Sequence, residues 1–152
     1  MPSPIDPEYA SLLLDSHARI VGTPLLPERP APDEEAARIL YEEAPFGLLA
    51  HDTSGDPLFV YANCTAQACF EYSWEEFIGL PSRLSALPSG QRDREALLGA
   101  VAERHFASGY RGLRVAKSGR RFWVGDLTMW DLIDDAGARV GQAAAFRSWT
   151  DA

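Results

Sequence analysis

The chain has 152 residues, enough for one domain that buries about 70% of its unfolded surface without disulfides or metals. Its 14 Lys and Arg against 22 Asp and Glu give a formal net charge of −8, which argues against nucleic acid or an anionic membrane surface as a partner. The first residues lack the basic and apolar regions of a signal peptide, and no apolar run approaches the ~18 residues of a membrane helix. We therefore expect a cytoplasmic protein that neither spans nor binds a membrane.

The N-terminal part predicts two helices separated by a proline-rich segment. Between Glu8 and Val21 apolar residues recur at helical spacing, which predicts an amphipathic helix within an N-terminal region 1–22. The prolines of 23–32 predict a stiff, extended linker. A second helix is expected from Asp33 to about Glu43, because acidic residues fill its first turn. The main domain is expected to span 33–152.

The stretch from Pro45 to Ala86 predicts a β-hairpin followed by short capped helices. Two apolar runs, 46–50 and 58–61, flank a turn rich in Ser, Gly, Asp and Pro. Asn63 is expected to cap the first short helix. Ser73, with a glutamate three residues later, forms a capping box that opens the second.

The second half of the chain predicts one longer helix and three strands. After a loop at 87–90, a helix is expected from Gln91 to Phe106, with Gly109 as its C-terminal glycine. The strands are expected at 110–116, 121–133 and 139–149. This order predicts an α+β fold: a five-stranded antiparallel sheet with helices on one face, plus the N-terminal amphipathic helix.

The longest predicted strand carries bulky residues on both faces. By simple alternation, one face holds Phe122, Val124, Thr128, Trp130 and Leu132, and the other holds Trp123, Leu127, Met129 and Ile133. Both faces should therefore be covered, one by the domain's own helices and the other by the N-terminal helix or a partner subunit.

Polar and aromatic residues at strand and helix positions are the candidates for lining a ligand cavity. The candidates are Asn63, Gln67, Trp123, Thr128, Trp130 and Gln142. Each has a structural alternative, since Asn63 can be a helix cap, Gln67 can be exposed, and strand aromatics are usually core residues. Gln142 lies in a run of small residues that leaves room for a helix or a bound molecule, and its amide needs a partner if it is buried.

Enzymatic or metal chemistry has few candidates in this sequence. No nucleophile elbow, phosphate-binding glycine loop, His-Glu-x-x-His helix or Cys-x-x-Cys pair is present, and the two cysteines are expected to be free thiols. His51 with Asp52, or Asp126 if it points inward, could serve as acid–base groups. His105, on the inner stripe of the long helix, is the candidate axial ligand for haem.

Short stretches spread from Pro45 to Trp149 closely resemble the MEKHLA domain family, in the form of its small stand-alone bacterial members. They are PFGLLAHD at 45–52, FVYAN at 59–63, YSWEEF at 72–77, LPSRLSA at 80–86, YRG at 110–112, SGRRF at 118–122 and GQAAAF at 141–146. The hexapeptide that names the family does not occur here. The family is regarded as similar to PAS domains, so the resemblance implies a PAS-like fold and a role in sensing or interaction, without naming a ligand or cofactor.

The resemblance also argues against one cofactor chemistry. The flavin-binding, light-sensing branch of PAS proteins carries a reactive cysteine after the second short helix, where this sequence has Ser82. That branch uses a glutamine on its last strand, where this sequence has Phe146. A hydroxyl cannot replace a thiol in adduct formation, so blue-light photochemistry is not expected.

The leading hypothesis is a PAS-like sensory or regulatory module without an output domain in the chain. It would bind a small molecule or a protein partner, with dimerisation through the amphipathic helix of residues 8–21. The alternatives are a small enzyme that uses the PAS-like cavity as its active site, and a haem- or chromophore-binding protein.

Overall fold

The computed structural model describes residues 3–85 and 91–152, and the loop predicted at 87–90 lies outside the described residues. In chain order the elements are α1 (Pro7–Ile20), α2 (Asp33–Glu42), β1 (Gly47–His51), β2 (Phe59–Ala62), α3 (Cys64–Phe70), α4 (Trp74–Phe77), a short 3₁₀ helix (Ser82–Ser85), α5 (Gln91–Arg104), β3 (Phe106–Val115), β4 (Arg121–Ile133) and β5 (Arg139–Asp151). None of the helices in 3–85 and 91–152 combines the length and the apolar character that a membrane-spanning segment requires.

The strands of the described residues form one antiparallel five-stranded sheet in the order β2-β1-β5-β4-β3. β1 pairs with β2 on one side and with β5 on the other, so the N-terminal hairpin joins the C-terminal three-stranded meander through the β1–β5 ladder. The predicted α+β fold class and its five antiparallel strands are confirmed.

Local capping signals start the two short helices where the sequence predicts them. The Asn63 side chain accepts from the Ala66 amide at 3.0 Å and so caps α3. Ser73 and Glu76 form the predicted capping box of α4, with each side chain accepting from the other's backbone N–H. These contacts satisfy N–H groups that have no partner inside the helix.

The predicted end of the long helix is wrong. α5 ends at Arg104, and His105 has a left-handed φ of 70°. Phe106 already pairs with Trp130 in the β3–β4 ladder, while Gly109 lies inside β3 at a register irregularity. Sheet pairing, a long-range interaction, overrides the helical spacing of the apolar residues here.

The two faces of β4 do not follow one alternation along its whole length. Val124 and Leu127 both belong to the hydrophobic cluster under α3 and α5, although they have opposite parity. Asp126, between them, has a φ of 49°, which interrupts the regular pleat. The predicted grouping of Thr128 and Trp130 with Val124 is therefore wrong.

Helices cover both faces of the sheet. On the inner face, defined as the face beneath α3 and α5, one cluster includes Phe70, Phe122 and Phe146. On the opposite, outer face, α1 and α2 pack against Trp130. Leu13 of α1 is completely buried in this outer cluster, so the N-terminal helix supplies the predicted cover.

The proline-rich segment also packs on the outer side. Leu25 and Leu26 are buried in the same cluster as α1. Arg29 bridges Asp15 of α1 and Asp33 of α2, at 2.5 and 3.3 Å. The segment therefore holds α1 and α2 side by side, in addition to separating them along the chain.

Candidate functional site

A cavity of about 40 Å³ lies between the inner face of the sheet and the helices that cover it. Its apolar lining consists of Leu49, Ala50, Phe59, Phe70, Leu98, Val124, Leu127, Met129, Ala143, Ala144 and Phe146. Its polar lining consists of His51, Ser82, Ser85, Arg114 and Gln142. The space suits a few water molecules and is far below the volume of about 300 Å³ at which ordinary ligand pockets begin.

A row of polar residues crosses the inner face at one end of this cavity. Gln142 on β5 pairs directly with His51 on β1 and with Asp131 on β4. Directly paired residues of neighbouring strands point to the same face, with Cβ atoms about 5 Å apart. All three residues are buried, so the sheet register places three polar side chains together in the interior.

Asp131 is the centre of a hydrogen-bond network that reaches the surface. Its carboxylate accepts from His105 Nδ1 at 3.0 Å, from Arg139 Nε at 3.0 Å and from Gln142 Nε2 at 3.2 Å. The Asp131 side chain is 4% exposed, whereas that of His105 is 65% exposed. A buried carboxylate is stabilised when cationic and N–H donors surround it.

Gln142 is only half satisfied in this network. Its amide nitrogen donates to Asp131, but its Oε1 is buried and has no hydrogen-bond partner among the described residues. Leaving a buried acceptor without a donor costs about 1–3 kcal/mol. Of the six predicted ligand-binding residues, Gln142 is the one that lines the cavity.

His51 and Asp52, the predicted acid–base pair, have different structural environments. His51 lines the cavity, and its Nδ1 donates to the Asp52 carbonyl at 2.8 Å. The Asp52 carboxylate accepts from the Ser54 hydroxyl and from the backbone amides of Ser54 and Leu58. These hydrogen bonds lower the pKa of Asp52, and the bond from the Ser54 hydroxyl has the largest effect. Its carboxylate therefore organises the β1–β2 turn and is a poor proton acceptor.

Arg114 is a cavity residue that the sequence interpretation missed. It is buried on β3, and its Nη1 donates to the Leu113 carbonyl at 3.1 Å. The guanidinium lies over Gly112, where a Cβ atom would come within 2.5 Å of Nη1. The signal in the sequence is the alternation of Gly112, Arg114 and Ala116 on the buried side of the strand. The small residues Gly112 and Ala116 leave room for the long side chain of Arg114.

The amides of Asn63 and Gln67 belong to the scaffold. Asn63 Oδ1 accepts from the Leu48 and Ala66 amides, and its Nδ2 donates to the Leu40 and Phe46 carbonyls. Gln67 Nε2 donates to the Tyr41 hydroxyl and to the Ala62 carbonyl. Neither residue lines the cavity, so the structural alternative describes both.

The remaining strand candidates also lie away from the cavity. Trp130 packs under α1 on the outer face, where its ring meets His17 edge-on at 4.7 Å. Trp123 is half-buried beneath the Arg111 guanidinium, at 4.4 Å. Thr128 is half-buried, and Asp126 is exposed rather than pointing inward. None of the four lines the cavity.

His105 does not occupy the position expected of a haem ligand. It follows the end of α5 instead of lying on an inward helical stripe, and its largely exposed ring donates to Asp131. It does not line the cavity. The described part of the chain also holds no group of three or more His, Cys, Asp or Glu residues that could bind a metal ion.

The cysteines lie outside the cavity as well. Cys64 is exposed and Cys69 is buried, and both are free thiols. Burial raises the pKa of the Cys69 thiol. Ser82, which follows α4, lines the cavity, and neither cysteine does. The lining therefore contains no thiol.

The profile of the MEKHLA domain matches residues 7–151, nearly the whole chain. The chain belongs to the MEKHLA domain family. The match begins at residue 7, so it includes α1 and the proline-rich segment. None of the curated proteins compared with this sequence matches it.

Solved structures show that this MEKHLA domain has the PAS fold. A PAS domain of a protein from Colwellia psychrerythraea superposes with a TM-score of 0.64 at 17% identity, covering 78% of this chain and 95% of the other. A light-oxygen-voltage domain studied with a flavin analogue gives a TM-score of 0.57 at 20% identity, covering 70% and 76%. The blue-light photoreceptor Aureochrome1 LOV, in its dark structure, gives 0.57 at 20% identity, covering 66% and 72%. At these identities the likeness establishes the fold alone.

Proposed function

We propose that this MEKHLA domain is a sensory module that binds a small molecule in the cavity on the inner face of its sheet. The observation that carries the proposal is that Gln142 lines the cavity and that its buried Oε1 has no hydrogen-bond partner among the described residues. A ligand that donates to this oxygen would remove the cost of an unsatisfied buried acceptor. The remaining lining is mostly apolar, as in most small-molecule sites.

The size of the cavity limits how such a ligand enters. A space of about 40 Å³ holds no more than a few water molecules, so any organic ligand has to displace side chains. Leu98 on α5 is half-buried, and Met129 is a flexible side chain on the opposite wall. The proposal therefore predicts that ligand binding moves α5 relative to the sheet.

The enzymatic alternative has less support from the geometry. Of its three candidate groups, His51 alone lines the cavity. The carboxylate of Asp52 is held in its turn, and Asp126 is exposed. We therefore propose sensing rather than catalysis.

A protein partner is the second part of the proposed sensory role. The apolar stripe of α1 packs against its own sheet, with Leu13 and Leu14 buried. A homodimer would therefore have to use a surface other than this stripe. Light scattering on the full chain measures the mass of the assembly. Ala18 and Arg19 are both exposed on α1. If a dimer persists when both are changed to Glu, the dimer contact lies outside the exposed face of α1.

Native mass spectrometry with an absorption spectrum, on protein purified gently from its own source, tests for a bound molecule. We expect retained mass in the wild type and its loss in Leu98→Phe, which fills the cavity from α5. Leu84→Phe is the matched control, because Leu84 is 45% exposed and does not line the cavity. Retained mass in Leu98→Phe equal to that in the wild type would contradict the proposal.

A further inference from the structure

The amide of Gln142 is held in one orientation by Asp131. Gln142 is 6% exposed, and its Nε2 lies 3.2 Å from Asp131 Oδ1. An ionised carboxylate accepts hydrogen bonds and cannot donate them. A reversed amide would place Gln142 Oε1 against a carboxylate oxygen, so the NH₂ group faces Asp131.

Asp131 is itself held by contacts to two residues, His105 and Arg139. His105 Nδ1 donates to Oδ2, while Arg139 Nε donates to Oδ1. The backbone N–H of Asp131 donates to the His105 carbonyl at 2.8 Å. The two side-chain contacts come from the end of α5 and from β5, so the carboxylate cannot turn away from Gln142 without breaking them.

Gln142 lines the cavity, and its amide oxygen is therefore an acceptor held in a fixed orientation. We infer that the ligand of this domain carries an N–H or O–H group that donates to Gln142 Oε1, with an apolar remainder against Phe70, Leu127 and Phe146. The inference rests on the proposed ligand-binding function and names the ligand class: small molecules that carry a hydrogen-bond donor. A ligand that presents only acceptors at this point could not form a hydrogen bond with Gln142 Oε1, because neither group would supply a proton. Asp131 is the positioning residue that sets this preference.

A pair of probes with the same shape separates this preference from simple cavity filling. Pyrrole carries an N–H donor, whereas furan, a ring of equal size, carries an oxygen in its place. We expect pyrrole to bind about five-fold more tightly than furan, the ratio given by one hydrogen bond of about 1 kcal/mol. Titrations of ¹⁵N-labelled full-length protein, followed by NMR, give both affinities and report directly on the side-chain amide of Gln142.

Two matched glutamine variants assign the preference to one residue. In Gln142→Met the ratio should fall to about one, because the acceptor is removed while the side-chain volume is nearly kept. In Gln67→Met the five-fold ratio should persist, because Gln67 lies outside the cavity. If Gln142→Met does not fold, shifts of the Gln142 amide signals that pyrrole causes and furan does not provide the same test in the wild type.

The outcomes distinguish this inference from the proposed function. Equal binding of pyrrole and furan to the wild type, or a ratio that survives in Gln142→Met, overturns the donor preference and leaves ligand binding in place. Binding of neither probe at millimolar concentration shows that the cavity does not open for a five-membered ring. That result overturns both the inference and the proposed function.

Discussion

Asn63 at the start of α3 and Gln142 on β5 are both buried amides, and the regions around them differ in how completely their hydrogen bonds are satisfied. Asn63 makes four hydrogen bonds that join α2, β1 and α3. Gln142 makes one, to Asp131, and its oxygen has no partner in the described part of the chain. The comparison teaches that burial alone does not mark a site, since both residues are at most 6% exposed. An unsatisfied polar atom beside a cavity is the better indicator.

Asn63→Ala should have the largest effect on stability. It leaves two buried N–H groups and two buried carbonyls without their partner, at about 1–3 kcal/mol for each group that water cannot reach, and it removes the cap of α3. We expect the free energy of unfolding, measured with urea, to fall by at least about 3 kcal/mol. Asn63→Asp keeps both accepted bonds, but it brings a buried carboxyl group against the Leu40 and Phe46 carbonyl oxygens, so it should also be strongly destabilising. A loss below 1 kcal/mol in Asn63→Ala would break the comparison with Gln142.

Gly47→Ala should have the next largest effect, on the inner side. A Cβ atom at Gly47 would lie 2.1 Å from Cζ of Phe146, which lines the cavity. The ring has to move, at a cost of about 1–3 kcal/mol, and the cavity changes shape with it. Gly55→Ala is the matched control, since a Cβ there meets no atom within 4 Å. Equal stability of both variants in urea would show that Phe146 shifts freely.

His17 should make the packing of α1 sensitive to pH. Its ring is buried against Trp130, and its Nδ1 donates to the Thr23 carbonyl at 2.7 Å. Burial lowers the pKa of His17 from the ordinary value of 6.5. The unfolded chain therefore takes up the proton at higher pH than the folded protein does. The free energy of unfolding should fall as the pH drops below about 6.5, by at most about 1.4 kcal/mol per pH unit for one proton.

The variant His17→Asn keeps a donor for Thr23 and removes the titrating group. Urea unfolding at several pH values should show a shallower decline between pH 6.5 and 5 in this variant than in the wild type. Above pH 7.5 the two slopes should coincide. Equal slopes below pH 6.5 would mean that His17 takes up its proton in the folded state as readily as in the unfolded chain.

Gln142→Met should have the smallest effect on stability. It loses the hydrogen bond to Asp131 but also removes an unsatisfied buried oxygen, and these two effects have opposite sign. We expect a change within about 1 kcal/mol in urea. A loss as large as that of Asn63→Ala would show that Gln142 is a scaffold residue like Asn63, and would weaken the proposed ligand site.

Much of the fold could be predicted because its signals are local. The caps at Asn63 and Ser73 and the start of α2 at Asp33 depend on residues a few positions apart, and all three lie where expected. The end of α5 and the alternation of β4 could not be predicted, because sheet pairing at Phe106 and the positive φ of Asp126 decide them.

The sequence by itself determined the order of the elements, the PAS-like fold class and the choice of Gln142, His51 and His105 as residues of interest. Tertiary structure alone decided which of these three residues lie close together. Strand register places His51, Gln142 and Asp131 in one row, and the end of α5 brings His105 to the same carboxylate. The physical reason is distance along the chain: capping and turn formation act over a few residues, whereas a cavity and its hydrogen bonds depend on how distant strands are paired.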